Sequence, residues 1–182
     1  GIPGILGFGG INSGDEVVVS GEEPAVRALM DRLAAEGVRV EQLRVSHASH
    51  SPLMQPMVPA FEAAAAAMPR APRTVRVVST VTGTLADAEW GSSSYWARQL
   101  QSPVRYADAI RTAVHGGVDV ALEIGPHPVL TGMGMRGLPG NAVAWLPSLR
   151  RERDDWTTVL ATLAELYVRG AVHDWSGADG AR

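Results

Sequence analysis

Val118-Asp-Val-Ala-Leu-Glu-Ile124, closed by Gly125-Pro126, decides the fold class. It is a short, nearly continuous apolar run, too short for a helix, of the kind buried on both faces in an α/β sheet. Upstream, Gly116-Gly117 breaks the chain, and Ala107–His115 and Tyr95–Leu100 carry helical patterns. Before them Val75–Ser79 is a β-branched strand leading into a Val81-Thr82-Gly83 turn. Further back, Pro52 can open a helix that runs through Phe61 and Ala63–Ala67 to about Met68, bent early by Pro56 and Pro59. Strand–helix alternation from 38 to 135 predicts an α/β protein.

The first 45 residues read as strand, strand, helix, strand. Ile5–Ile11 and Glu16–Ser20 flank a hairpin turn at Asn12-Ser13-Gly14. Ser20 and Glu23 have capping-box spacing. Behind them Val26, Leu29, Met30 and Leu33 line one helical face, which Gly37 ends with a left-handed cap. Val38, Val40, Leu43 and Val45 then alternate as in a strand. A ferredoxin-like unit runs βαββαβ, so this is that pattern without its opening strand and helix. At the other end, Arg150–Asp155 is a charge cluster ahead of a helix striped by Leu160, Leu163, Ala164, Tyr167 and Val168 and stopped by Gly170. The expected organisation is a partial ferredoxin-like unit over 1–46, a larger α/β part over 47–145 and a linker over 146–182.

Composition narrows the function. With 182 residues, 46% of them hydrophobic and 19% charged, the chain can bury a core. A net charge of -3 argues against a nucleic-acid partner, because the phosphate-neutralising surface is missing. No cysteine is present, which excludes disulfides, thiolate metal sites and cysteine nucleophiles. All 16 basic residues are Arg, so Schiff-base and P-loop lysine chemistry is excluded too. No apolar run nears the roughly 18 residues of a membrane span. Gly1–Gly10 lacks the basic start of a signal peptide, and a cytoplasmic location is expected. The first residue is not Met, as in a piece of a longer polypeptide.

His47-Ala-Ser-His50, at the junction of a predicted strand and a proline-led turn, is the strongest chemical signal. Imidazole transfers protons near neutral pH, and a strand end holds it rigidly. Spacing alone leaves three readings open. The pair could be metal ligands, although no supporting third ligand follows at a suitable spacing. They could be turn histidines with capping or solvent roles. Or one could be a general base for a nucleophile elsewhere. His127, within a Gly-Pro turn, reads as structural, and His115 as a helix C-terminal residue favoured by the dipole.

Arg44-Val-Ser-His47-Ala-Ser-His50-Ser-Pro-Leu-Met resembles the signature of acyltransferase domains of modular type I polyketide synthases, relatives of malonyl-CoA:acyl-carrier-protein transacylases. Further blocks resemble the family in the right order: Glu16-Val-Val-Val-Ser-Gly, Tyr95-Trp-Ala-Arg-Gln99-Leu with Pro103-Val-Arg-Tyr106, and Leu122-Glu-Ile-Gly-Pro-His127-Pro-Val-Leu. Leu149-Arg-Arg through Leu163-Ala-Glu-Leu-Tyr-Val-Arg-Gly170 to Asp174-Trp175 looks like the linker that follows these domains. The similarity covers residues 11–175.

This resemblance implies an α/β-hydrolase-like large subdomain with a ferredoxin-like insert. It also implies ping-pong transfer of an extender unit from acyl-CoA, through a seryl ester, to the phosphopantetheine thiol of an acyl carrier protein. His50 matches the general base, and Gln99 the residue whose main-chain carbonyl orients it. His47 and Ser49 match the extender-selectivity positions, where the malonyl pattern is His-Ala-Phe-His and the methylmalonyl pattern Tyr-Ala-Ser-His. This chain mixes the two, which implies tolerance of a methylmalonyl unit beside malonyl. No metal or cofactor is implied beyond the substrates, acyl-CoA and carrier-bound phosphopantetheine. Expected partners are the carrier protein and the remaining acyltransferase and ketosynthase segments, with no nucleic acid and no membrane.

One departure stands out. The family nucleophile sits in a Gly-His-Ser-x-Gly elbow, and no G-x-S-x-G occurs in the 182 residues. The family's carboxylate-binding Arg and oxyanion segment are not matched either. The 182 residues alone are therefore expected to be inactive, with uncovered sheet surface around Val118–Ile124 that favours aggregation or a partner. The alternative is a non-catalytic remnant that serves as a docking or structural module.

Overall fold

The computed structural model describes residues 4–140, 142–171, 174, 175 and 177. The chain forms two compact units, Gly1–Gly116 and Gly117–Arg182, each with its own small sheet and helices, a mixed α/β fold as expected.

In the first unit β1 (Leu6–Ile11) and β2 (Val17–Gly21) form an antiparallel hairpin with a bulge between Phe8 and Gly10. The Asn12 side-chain amide donates to Glu16 at 3.1 Å and ties the turn. Helix α1 (Glu23–Ala35) follows. The capping box does not form, because Ser20 lies within β2, paired with Gly7; Glu22 is the N-cap, and Pro24 sits in the first turn. Gly37, at φ 79°, ends it as foreseen.

The predicted strand over Val38–Val45 is absent. The segment has no ladder, and Val38, Leu43 and Val45 are 48%, 53% and 71% exposed. Alternation marks a candidate strand, but a strand exists only when a neighbouring edge takes its N–H and C=O groups. Among the described residues no edge does so. Val75–Ser79 shrinks, for the same reason, to a single bridge between Val78 and Leu85.

The helix begun at Pro52 is a 3-10 stretch (Pro52–Met57) that continues as α2 (Val58–Ala66), the change falling among Pro52, Pro56 and Pro59. Helices α3 (Ser93–Gln101) and α4 (Tyr106–His115) complete the unit. Ser92 caps α3 by accepting from the Tyr95 amide at 3.0 Å. Buried Tyr95 shares a 2.9 Å hydrogen bond with buried Ser79, and its ring meets Trp90 and Trp96. In α4, hydrogen bonds from Arg105, reinforced by Arg111, hold the Asp108 carboxyl below the usual carboxylate range.

The segment between α3 and α4 anchors on β1. Ile11 N donates to Val104 O at 2.9 Å, and Val104 N donates to Gly9 O at 3.0 Å. β1 thus has β2 on one edge and Val104 on the other.

The second unit is a β-α-β turn plus a helix. β3 (Val120–Glu123) pairs in parallel with β4 (Ala144–Pro147), with α5 (Leu130–Gly137) between them in sequence. Burial on both faces, expected for Val118–Ile124, is not found: Leu122 is 40% and Ile124 78% exposed, and the main cover of β3 among the described residues of this unit is β4 and α5. Helix α6 (Asp155–Val168) starts where Asp154 accepts from the Thr157 amide at 2.7 Å and stops at Gly170, φ 73°. Its buried side is Thr158, Thr162 and Leu166; Leu160, Tyr167 and Val168 of the expected stripe are exposed. Thr162 Oγ1 donates to Pro147 O at 2.6 Å, so α6 packs on β4 through a threonine.

Candidate active site

His50 sits just before the 3-10 turn, in a backbone conformation that side-chain-bearing residues rarely adopt, φ 60°. Such a conformation costs on the order of 1–3 kcal/mol and persists only where surrounding contacts fix it. Here they do. His50 N donates to Leu100 O at 3.0 Å. Ser51, the most buried side chain described, donates from Oγ to Ala48 O at 2.7 Å and accepts from Leu53 N at 3.3 Å. That pair closes the 48–53 loop and commits Ser51 to structure, so its hydroxyl is not a nucleophile candidate.

Strand β1 supports the loop from beneath. A Cβ on Gly7 would stand 3.4 Å from the Pro52 ring, and one on Gly9 would stand 3.7 Å from Ser49 O and 3.2 Å from the Ser20 Cβ. The loop thus rests in van der Waals contact on the strand, and the tighter neighbour of Gly9 is Ser20 on β2.

The imidazole is held by backbone alone. His50 Nδ1 lies 3.0 Å from Gln99 O and 3.0 Å from Ser102 O. Carbonyl oxygens only accept, so Nδ1 must carry the hydrogen, shared between them. Neutral imidazole has one N–H, and the lone pair therefore resides on Nε2. Among the described residues Nε2 has no hydrogen-bond partner and is not a buried orphan. The arrangement fixes ring and tautomer and leaves Nε2 available to take a proton, without any carboxylate.

The matched positions do not all gather here. Gln99, in the last turn of α3, reaches His50 through its main chain. Ser49 is half-buried beside the base. His47 is exposed, its Nδ1 3.2 Å from Ser46 Oγ. Ser102 O was not foreseen, since residue identity says nothing about where a backbone carbonyl points. Among the described residues no group of three or more acidic or histidine side chains could hold a metal ion.

In the second unit a carboxylate does a different job. Glu123, at the end of β3, accepts from the amides of Val129 (3.1 Å), Leu130 (3.1 Å) and Thr131 (2.7 Å) and from Thr131 Oγ1 (3.0 Å). Partial burial raises its pKa, but these donors outweigh that and hold the carboxyl below its ordinary range. The side chain thereby caps α5, a role the sequence pattern did not disclose. His127, read as structural, lies in the connection between β3 and α5; its Nδ1 is buried and has no hydrogen-bond partner among the described residues.

Fold and site together define a class: mixed α/β proteins that present a backbone-anchored histidine with Nε2 ready to accept a proton. Within that class the chain belongs to the acyl transferase domain family, whose model matches residues 3–172. It is 41% identical over 170 residues to a mycoketide-CoA synthase of Mycobacterium tuberculosis, covering 93% of this chain and 4% of that protein. It is 39% identical over 177 residues to the polyketide synthase GfsB of Streptomyces halstedii, covering 93% of this chain and 3% of that one. Among solved structures, the acyltransferase domain from the second module of the salinomycin polyketide synthase superposes with a TM-score of 0.88 at 38% identity, over 97% of this chain and 41% of that one. A malonyl-CoA:acyl carrier protein transacylase from Clostridium perfringens superposes with a TM-score of 0.77 at 25% identity, over 93% and 52%. The chain thus spans about two-fifths of the salinomycin domain and a few per cent of the synthases. No helix among the described residues is long and apolar enough to cross a membrane.

Proposed function

We propose that this chain is the base-bearing part of a polyketide synthase acyltransferase that moves a malonyl- or methylmalonyl-type extender unit from CoA to an acyl carrier protein. The observation that carries the reading is the tautomer lock on His50: two carbonyl acceptors at Nδ1 and an open Nε2. His50 Nε2 takes the hydroxyl proton of a serine from polypeptide outside these 182 residues as that serine attacks the CoA thioester. The imidazolium returns the proton to the departing CoA sulfur. In the second half, Nε2 deprotonates the phosphopantetheine thiol, which attacks the seryl ester, and the proton returns to the serine oxygen. The Gln99 carbonyl orients the base, and His47 and Ser49 influence which extender is accepted. Residues 1–46 belong to the small subdomain, 47–145 to the large subdomain and 146–182 to the linker that follows. A base so held contributes on the order of 10²- to 10⁴-fold.

Labelled malonyl- and methylmalonyl-CoA, offered with a carrier protein, test this. The chain alone should form no acyl-enzyme. Joined to a nucleophile-bearing acyltransferase segment it should load the carrier, and His50→Ala should lower that rate by at least about 10². A stable acyl-enzyme on the chain alone, or an unchanged rate in the His50 variant, refutes the assignment. A docking or structural role without catalysis is the second reading. It would be left standing if the joined polypeptide binds its neighbours but loads nothing.

A further inference from the structure

The two carbonyls that hold His50 are available for a common reason. In an α-helix the C=O of residue i accepts from the N–H of residue i+4. The last such bond of α3 runs from Ser102 N to Arg98 O at 3.0 Å. The next would run from residue 103 to Gln99 O, but residue 103 is proline and has no N–H. Gln99 O is therefore left without its helical donor and takes the His50 Nδ1 hydrogen instead.

Proline also restricts the residue before it to extended backbone. Ser102 has φ -84° and ψ 148°, so the helix cannot continue through it, and its carbonyl turns back to within 3.0 Å of the same Nδ1. Leu100 O, one position along, would pair with Val104 N, but that amide is engaged by Gly9 O, and Leu100 O accepts His50 N. All three acceptors around His50 are thus released by the way α3 ends at Pro103.

We propose that Pro103 is a positioning residue for the base: its missing N–H and the extended Ser102 that it imposes free Gln99 O and Ser102 O to lock His50 as the Nδ1–H tautomer. Pro103 does not touch the reacting atoms. The proposal rests on His50 being the proton acceptor only for its effect on rate; the tautomer is set by geometry whatever the chain does.

The test reads the two separately. In the full chain labelled with ¹⁵N-histidine, the ring nitrogens of His50 report which one carries hydrogen, with the His50→Gln variant identifying its signals. The native chain should show Nδ1–H. Pro103→Ala restores an N–H that can return to Gln99 O, and should lose much of the Nδ1–H signal in favour of Nε2–H. An alanine analogue at 103 with ester oxygen in place of the amide N–H has no donor, and should retain the Nδ1–H form. In the polypeptide joined to its nucleophile-bearing segment, loading in Pro103→Ala should fall by the factor by which Nδ1–H falls, with KM for acyl-CoA unchanged. Nε2–H in the native chain, or an unaltered tautomer in folded Pro103→Ala, overturns the proposal. A rate loss with no tautomer change overturns it as well and points to a merely structural proline. If Pro103→Ala does not fold, the ester analogue decides: Nδ1–H retained supports the missing-donor mechanism, and its loss refutes it. A correct tautomer with no transfer from any polypeptide would instead refute the proposed function and leave the positioning of His50 intact.

Discussion

Replacing Glu123 by Gln or Ala should destabilise the second unit through one clamp. The carboxylate receives three amides and a hydroxyl, and the amides are those that a helix start leaves without partners. Loss of an ordinary N-cap costs about 0.5–2 kcal/mol. Hydrogen bonds to a charged group contribute about 1.5–3 kcal/mol each where water is excluded, but Glu123 is only half-buried, so solvent screening discounts them. We expect about 2 kcal/mol for Glu123→Ala. We expect about 1 kcal/mol for Glu123→Gln, which keeps one acceptor oxygen and turns an NH2 towards donors. Urea unfolding followed by Trp145 fluorescence, in a background with the other four tryptophans replaced by Phe, is the assay, because Trp145 lies on β4 in the same unit. The pH dependence gives an independent check. The folded pKa is depressed, so the stabilisation is complete above the unfolded value of about 4.3. It is lost as pH falls through the lower folded value. The native chain should lose stability over that acidic window, and Glu123→Gln should lose less. Equal acid sensitivity in both, or a Glu123→Ala change below about 0.5 kcal/mol, would refute the clamp.

Ser51→Ala removes the Oγ bond to Ala48 O and the acceptor for Leu53 N in a fully buried place; a loss of about 1–3 kcal/mol is expected in chemical unfolding. Ser49→Phe restores the malonyl-type pattern, and in the loading-competent polypeptide should shift kcat/KM towards malonyl- over methylmalonyl-CoA by about tenfold or more, checked by competition between the two. Gly134→Ala has no space against the Trp145 ring, so α5 or the ring must shift; about 1–3 kcal/mol of destabilisation and a changed tryptophan emission are expected.

Most of the helices were legible because their signals are local; α5 (Leu130–Gly137), opened by the Glu123 carboxylate from another element, was not. Gly37, Gly170 and the proline-broken start of the 52–66 helix act through φ restrictions that operate wherever they stand in the chain. The strands were legible only where a partner followed at once, as in the β1–β2 hairpin. Val38–Val45 carries a strand-like alternation that β2, a continuous Val17-Val18-Val19 run, lacks, yet it forms no ladder. The short apolar stretch around Trp145 went unrecognised, although it pairs with β3. Helix α6 shows the same limit differently: its apolar stripe was plain to read, but the face it buries carries Thr158 and Thr162.

Sequence by itself determined the α/β class, the positions of most helices, the family and the identity of His50 as the residue to examine, because those rest on side-chain type and near-neighbour spacing. Tertiary structure alone decided the tautomer of that histidine, the Ser102 carbonyl beside Gln99, the left-handed backbone at 50 and the Glu123 cap. Each depends on where main-chain N–H and C=O groups point after the chain has folded back over some fifty residues, or eight in the case of Glu123. Every residue carries these groups, so composition cannot mark which of them will meet. Pro103 is an exception in kind: its ring deletes the backbone donor that Gln99 O would otherwise meet, so there the sequence already held part of that decision.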